Sequence, residues 1–205
     1  MISNTLFAML AVLSGIMIAD TRAKRVLAGY VGIALLLTIV TFSDAAATPG
    51  GLILFGLATV LKVVLAPIGI LWFLRRNPEA EDLRASMPLP VRVLTVIVLA
   101  VLCRMVDRLP VAAVLPLQPI VAFVILCGIA VLIIHRNVLA DLLGLLLFGA
   151  GITLEGSLAA PQLPEAVELG AAFDVIVTTF IGLALLLTLH RRGLLDVDRL
   201  RSLRG

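Results

Sequence analysis

The sequence predicts an all-α fold, an integral membrane bundle of seven transmembrane helices. Hydrophobic residues make up 61% of the 205 residues and charged residues 14%, whereas soluble domains have about 45–50% and 25%. Aromatic residues amount to 5%, too few for the aromatic girdles of a membrane β-barrel. Apolar runs near the roughly 20 residues that a helix needs to cross a bilayer recur along the chain. This length leaves no room for a separate catalytic domain.

Charged and helix-breaking residues divide the chain into seven apolar runs. The runs cover residues 2–19, 26–42, 51–74, 91–106, 111–134, 138–160 and 167–189. The fifth run contains Pro116 and Pro119, which predict a late helix start or a kink. Run one is expected to be retained and not cleaved as a signal peptide, because its charges follow the apolar stretch instead of preceding it.

The runs group into three segments. Residues 1–110 form an N-terminal four-helix membrane segment, residues 111–190 a three-helix segment, and residues 191–205 a cytoplasmic tail. Basic residues fall in the turns after runs one, three, five and seven, whereas the turns after runs two and six have none. The positive-inside rule therefore predicts an outside N-terminus and a cytoplasmic C-terminus. The turn after the short fourth run, with Arg104 and Arg108, is the one turn whose basic residues do not fit this orientation.

The remaining composition excludes several kinds of site. Cys103 and Cys127 both lie within apolar runs and form neither a C-x-x-C pair nor a disulfide framework, so no metal or cofactor site is expected. The net charge of +3 comes from basic residues beside membrane spans. Their position is a signal of membrane topology, so nucleic-acid binding is not expected. His135 and His190 each precede an arginine at a helix end and are predicted to be interfacial cations.

Lys62 is the most unusual residue of the third run. It lies 11 residues after Gly51 and 13 before Arg75, near the membrane midplane and too deep to reach either interface. Only two of the 16 basic residues are lysines, and only an amine can lose its proton in such a position, because arginine stays charged. Pro67 lacks an N–H group and predicts a helix break between Val63 and Gly69.

The last two runs carry four acidic residues. Asp141 and Glu155 are 14 residues apart, about four helical turns, and are expected to share one face. Glu168 opens the seventh run, and Asp174 lies about 9 Å deeper with Thr178 one turn beyond it. A charged group in a span costs roughly 2.5–3.5 kcal/mol, so Lys62 is expected to have a partner or a water-filled cavity. Asp174 is the first choice and Glu155 the second, with Glu168 expected too near the outer surface.

Four motifs together resemble the hydrogenase-4 component E family over nearly the whole chain. They are LKVVLAP at 61–67, HRNVL at 135–139 followed by LGL at 143–145, VELG at 167–170 with Asp174, and LDVDRL at 195–200. The second half is also similar to the K-type subunit of respiratory complex I and to the C-type subunit of multisubunit cation/proton antiporters.

The resemblance implies a non-catalytic membrane subunit of a complex I-like assembly in the bacterial cytoplasmic (inner) membrane. A membrane-bound [NiFe] hydrogenase or formate hydrogenlyase module and antiporter-like subunits would be its partners. Lys62, Glu168 and Asp174 match family positions. The family usually has an acidic residue followed by Asn-Gly in span six, where this chain has Phe148 to Gly151. The glutamates of the K-type subunit correspond to Leu146 and Thr178 of this chain, and neither of these residues is acidic.

Three functional hypotheses follow from these residues. The subunit moves protons or sodium through Lys62 and the acidic residues, or it is a scaffold that seats antiporter-like subunits without carrying ions. The interrupted series of acids in span six favours the scaffold. A free-standing small transporter is disfavoured, because the two halves show no inverted repeat.

Overall fold

The described part of the chain is helical. The structure is a computed structural model that describes residues 2–45, 49–106, 118–159 and 163–191. The helices are α1 (Ile2–Ala19), α2 (Ala23–Ala45), α3 (Pro49–Val60), α4 (Ala66–Arg76), α5 (Leu89–Val106), α6 (Pro119–Ile134), α7 (Val138–Ala159) and α8 (Pro164–Arg191). A five-residue π-helix, Leu61–Leu65, joins α3 to α4, and a 3₁₀ turn, Pro78–Glu81, follows α4. These ranges contain no β-strand.

The described residues form seven helical rods, because α3, the π-helix and α4 form one continuous rod. Within the same ranges, four stretches are long and apolar enough to cross a membrane: Ala23–Phe42, Gly50–Arg76, Val138–Ala159 and Glu165–His190. Helices α1, α5 and α6 have 16 to 18 residues, about 24–27 Å at 1.5 Å per residue. Among the described residues of the fifth apolar run, α6 begins at Pro119 and Gln118 before it is extended. Residues 107–117, which include the predicted segment boundary, Arg108 and Pro116, lie outside the described residues.

Helices α6 and α7 form the closest pair in the core. A Cβ atom added to Gly128 of α6 would lie 2.8 Å from the backbone nitrogen of Phe148 and 2.9 Å from the carbonyl oxygen of Gly144. The two glycines therefore let the helix backbones touch, the packing that small residues permit between membrane helices. Helix α7 also packs on α2 and α8 and is central to the bundle.

The loop between α4 and α5 ties together three other chain segments. Its Leu83 N–H donates to the Thr21 carbonyl oxygen at 2.7 Å, and its Ser86 N–H to the Ile134 carbonyl oxygen at 2.8 Å. Lys24 pairs with Glu81 at 2.7 Å, and His190 lies 3.7 Å from Glu79. The ends of α1, α4, α6 and α8 therefore meet at one end of the bundle. We call it the basic end, after Arg22, Lys24, Arg25, Arg75, Arg76, Arg84, Arg92 and Arg136.

His135 is buried at this end and is not the interfacial cation that the sequence predicted. Its Nδ1 lies 3.3 Å from the Val131 carbonyl oxygen and its Nε2 3.1 Å from the Asp20 carbonyl oxygen. Burial lowers the pKa of His135 below 6.5, although its two backbone hydrogen bonds act in the opposite direction, and Arg92 lowers it further. At neutral pH the imidazole is therefore uncharged and donates its single N–H to one of these two carbonyl oxygens.

The lowered pKa of His135 predicts a loss of stability in mild acid. As the pH falls below about 6.5, the unfolded chain binds a proton at this residue more readily than the folded chain does. The free energy of unfolding therefore decreases as the pH decreases. Each kcal/mol corresponds to about 2–4 °C in Tm for a chain of this length. We expect the Tm of the purified protein to fall from pH 7.5 to 5.5, and the fall to be smaller in His135→Gln.

His190→Gln is the matched control, because it removes the one other histidine of the chain. This variant should keep the acid sensitivity of the unchanged protein. Equal pH profiles for His135→Gln and the unchanged protein would contradict the assignment.

Candidate functional site

Lys62 is the second residue of the π-helix. The Ala66 N–H donates to the Leu61 carbonyl oxygen, which closes the wide turn. Pro67 follows directly and has no N–H, so the Val63 carbonyl oxygen lacks its usual donor four residues later and the turn before the proline is irregular. The distortion therefore covers Leu61–Leu65, where the sequence predicted a break between Val63 and Gly69, and the helix continues into α4. Lys62 is placed on an irregular turn in the middle of a span.

A small cavity lies beside Lys62, between α2, α3, α7 and α8. Its volume is about 20 Å³, enough for one water molecule, which needs roughly 10–15 Å³ of such space. Glu168 and four threonines line it together with Lys62. The threonines are Thr38, Thr41, Thr59 and Thr153.

Three of these threonines turn their hydroxyl protons away from the cavity. Thr38 donates to the Ala34 carbonyl oxygen at 2.8 Å, Thr41 to that of Leu37 at 3.1 Å, and Thr153 to that of Gly149 at 2.9 Å. Their oxygens keep free lone pairs, so they can only accept further hydrogen bonds. The cavity wall is therefore matched to donors, such as an ammonium group or a water molecule.

Glu168 is buried, with 5% of its surface exposed, and lines the cavity beside Lys62. Asp174, the partner that the sequence placed first, lines a different groove. Glu155, the second choice, lines neither space. Among the described residues, Lys62 forms no ion pair within 4 Å. The cavity that it shares with Glu168 has room for one water molecule, which would bridge the two side chains.

The faces of α8 explain this result. Gly50 of α3 lies against the Glu165 carboxylate of α8, so the two helices start at about the same depth. Lys62 is then about 18 Å along α3 and Asp174 about 13.5 Å along α8, which leaves Asp174 within reach by depth. Asp174 faces the groove beside α7, however, whereas Glu168 lines the Lys62 cavity.

Asp174 is exposed on α8 and faces a groove beside α7. Its carboxylate lies against Gly149, where any Cβ atom would collide with it. Its Oδ1 accepts a hydrogen bond from Thr178 at 3.4 Å, so the two side chains lie on the same side of α8. The groove has a volume of about 550 Å³ and three glycines in its wall. The Asp174 carboxylate of α8 thus lies beside α7 at Gly149, a residue that has no side chain.

Asp141 and Glu155 lie away from this cluster, and both are half-buried on α7. The Glu155 Oε2 atom is buried and has no hydrogen-bond partner among the described residues. Tyr30, to which the sequence assigned no role, is buried in α2 within electrostatic range of Asp174. The three-residue spacing of Thr38 and Thr41, which places both on one helix face, is the sequence signal that could have indicated the cavity.

The structure brings no metal ligands together in the ranges that it describes. No group of three or more His, Cys, Asp or Glu side chains there is placed to hold an ion. Cys103 and Cys127 are free and buried. The cavity beside Lys62 therefore offers one amine, the Glu168 carboxylate and hydroxyl oxygens, which can exchange protons.

Comparisons with known proteins agree with the resemblance seen in the motifs. No family model matches the chain, and no solved structure matches it. Hydrogenase-4 component E from Escherichia coli K12 is 28% identical over 215 aligned positions, which cover 100% of this chain and 98% of the relative. The proteins of that name from Escherichia coli O157:H7 and Shigella flexneri give the same values. The chain is similar over its full length to hydrogenase-4 component E.

Proposed function

We propose that this chain is a non-catalytic membrane subunit of a complex I-like respiratory assembly and takes part in moving protons or sodium ions. The observation that carries the proposal is the cavity that Lys62 shares with buried Glu168. The relatives named hydrogenase-4 component E support a membrane-bound [NiFe] hydrogenase or formate hydrogenlyase as the electron-transferring module. Antiporter-like subunits of the same assembly are its proposed neighbours.

The chemistry proposed for the site is proton exchange between an amine and a carboxylate. When Lys62 is charged, its ammonium proton passes through one water to the Glu168 carboxylate, leaving a neutral amine and a neutral acid. A proton arriving from the basic end recharges the amine, and the acid releases its own proton toward the start of α8. The threonine oxygens stabilise the ammonium form, and they would also serve as ligands for sodium.

The basic end is proposed to face the cytoplasm. Its eight arginines and lysines come from several turns of the chain and gather at one end of the bundle, which the positive-inside rule associates with the cytoplasmic side. Glu168 would then lie toward the outer side. The cluster would exchange ions with that side or with a neighbouring subunit.

A scaffold function is the second candidate, and the groove between α7 and α8 favours it. Three glycines in its wall allow close approach of another helix. Asp174 in this groove is exposed to the membrane, where an ionisable group needs a partner. A helix of an antiporter-like subunit would supply that partner without any ion passing through this chain.

Purification of the tagged chain from its own bacterial membrane tests the proposed membership. We expect antiporter-like subunits and a hydrogenase module to copurify and to be identified by mass spectrometry. Tagging a different subunit should recover this chain in equal amount. Recovery of the chain alone from gently solubilised membranes would contradict the proposal and favour a free-standing transporter.

A further inference from the structure

A second cavity, at the basic end, contains a buried arginine without a counter-ion. Arg92, in the first turn of α5, has 7% of its surface exposed. Its Nη1 donates to the Ala19 carbonyl oxygen at 2.7 Å, whereas its Nε is buried without an acceptor. Within the described ranges no carboxylate pairs with it. A buried cation in this position is costly unless an anion approaches it.

The cavity is a groove of about 630 Å³ between α1 and α5, within the roughly 300–1,000 Å³ of ligand sites. Arg25, Arg92 and Asp20 lie at its basic end. Asp20 is already neutralised, because it accepts from the Arg22 N–H at 2.8 Å and pairs with Arg25 at 2.9 Å. The charge left uncompensated at this end is that of Arg92.

The rest of the groove is apolar and lies open on the surface of the bundle. Val12 of α1 and Val93 and Ile97 of α5 line it, with 65%, 43% and 54% of their surfaces exposed. From Leu89 to Ile97 the groove follows α5 for about 12 Å toward the membrane centre. Across it, Gly15 leaves room beside α1, because an added Cβ would meet only Val96, at 4.0 Å.

We propose that this groove binds an anionic phospholipid. The phosphate would contact Arg92, and an acyl chain would lie along Val12, Val93 and Ile97. Basic pockets between helices at this depth have the chemistry that binds anionic lipid headgroups. An acidic side chain of a partner would satisfy the arginine but would leave the apolar groove unfilled, so the lipid fits both halves of the site.

Native mass spectrometry of the full chain with added phosphatidylglycerol tests the site. We expect Arg92→Gln to lower retention of this lipid roughly tenfold or more, because it removes charge-assisted hydrogen bonds. Arg76→Gln is the matched control, since Arg76 is also at the basic end but is exposed and lies over the Trp72 ring at 4.2 Å. It should retain phosphatidylglycerol like the unchanged protein. Phosphatidylcholine should bind more weakly to the unchanged protein than phosphatidylglycerol.

Val93→Trp provides a second variant that fills the groove and leaves Arg92 in place. It should also lose the lipid, and it decides the matter if Arg92→Gln does not fold. Excess inorganic phosphate should not displace the lipid, because it cannot fill the apolar part. Equal retention by the unchanged protein and the folded groove variants would overturn the proposal. Displacement by phosphate alone, or binding of an acidic partner residue at Arg92 with no lipid present, would also overturn it.

Discussion

Lys62→Met is expected to stop ion movement by the assembled complex while electron transfer and assembly remain measurable. Methionine fills a similar volume but has no proton to exchange, so the cavity loses its amine while the packing of α3 is preserved. Glu168 then loses the cation with which it shares the cavity. We expect at least a tenfold reduction in ions moved per electron transferred, measured with a pH or sodium indicator in inverted membrane vesicles.

Lys24→Met is the matched control for this variant. Lys24 is the other lysine of the chain, but it is exposed at the basic end and pairs with Glu81. A surface pair of this kind contributes about 0–1 kcal/mol, so ion movement should be unchanged. If Lys62→Met instead prevents assembly, or if assembled Lys62→Met complexes move ions normally, the ion-carrying account is wrong. A failure of assembly would favour the scaffold.

Gly128→Leu should have the largest effect on stability. Its new side chain would meet backbone atoms of Gly144 and Phe148, which cannot move away as a side-chain end can. Overpacking in a core costs about 1–3 kcal/mol, and separating two touching helices should cost at least the upper value. We expect a large drop in Tm or the loss of folded protein, measured by thermal unfolding in detergent.

Gly56→Leu provides the comparison, because no atom lies within 4 Å of a Cβ added there. Leucine also has a better helix propensity than glycine, by about 1 kcal/mol. This variant should be as stable as the unchanged protein or more so. Similar Tm values for Gly128→Leu and the unchanged protein would show that α6 and α7 do not touch as described.

The helices could be predicted from the sequence because apolar runs and their breakers are local signals. Run one, at residues 2–19, coincides with α1, and the prolines of run five account for a helix that begins at Pro119. The link made by the α4–α5 loop could not be predicted. Its contacts to Thr21 and Ile134 join residues that are far apart in the sequence, and no local pattern encodes them.

The candidate site was predictable in its residues but not in its pairing. Lys62 is identified by its depth alone, and the acidic residues by their rarity in spans. Which acid shares its cavity depends on how α8 is turned against α3 and α7, which places Glu168 beside Lys62 and Asp174 in the groove beside α7. The burial of His135 likewise depends on the end of α1, which lies 115 residues earlier in the chain.

Comparing Lys62→Met, Glu168→Gln and the double variant tests the central claim most directly. The claim is that the two side chains exchange protons as one unit. Residues that act as a unit give strongly non-additive losses. The ratio of ions moved to electrons transferred should therefore fall as far in each single variant as in the double variant, with assembly unchanged in all three. If the two single losses multiply in the double variant, or if Glu168→Gln moves ions normally, the shared site is contradicted.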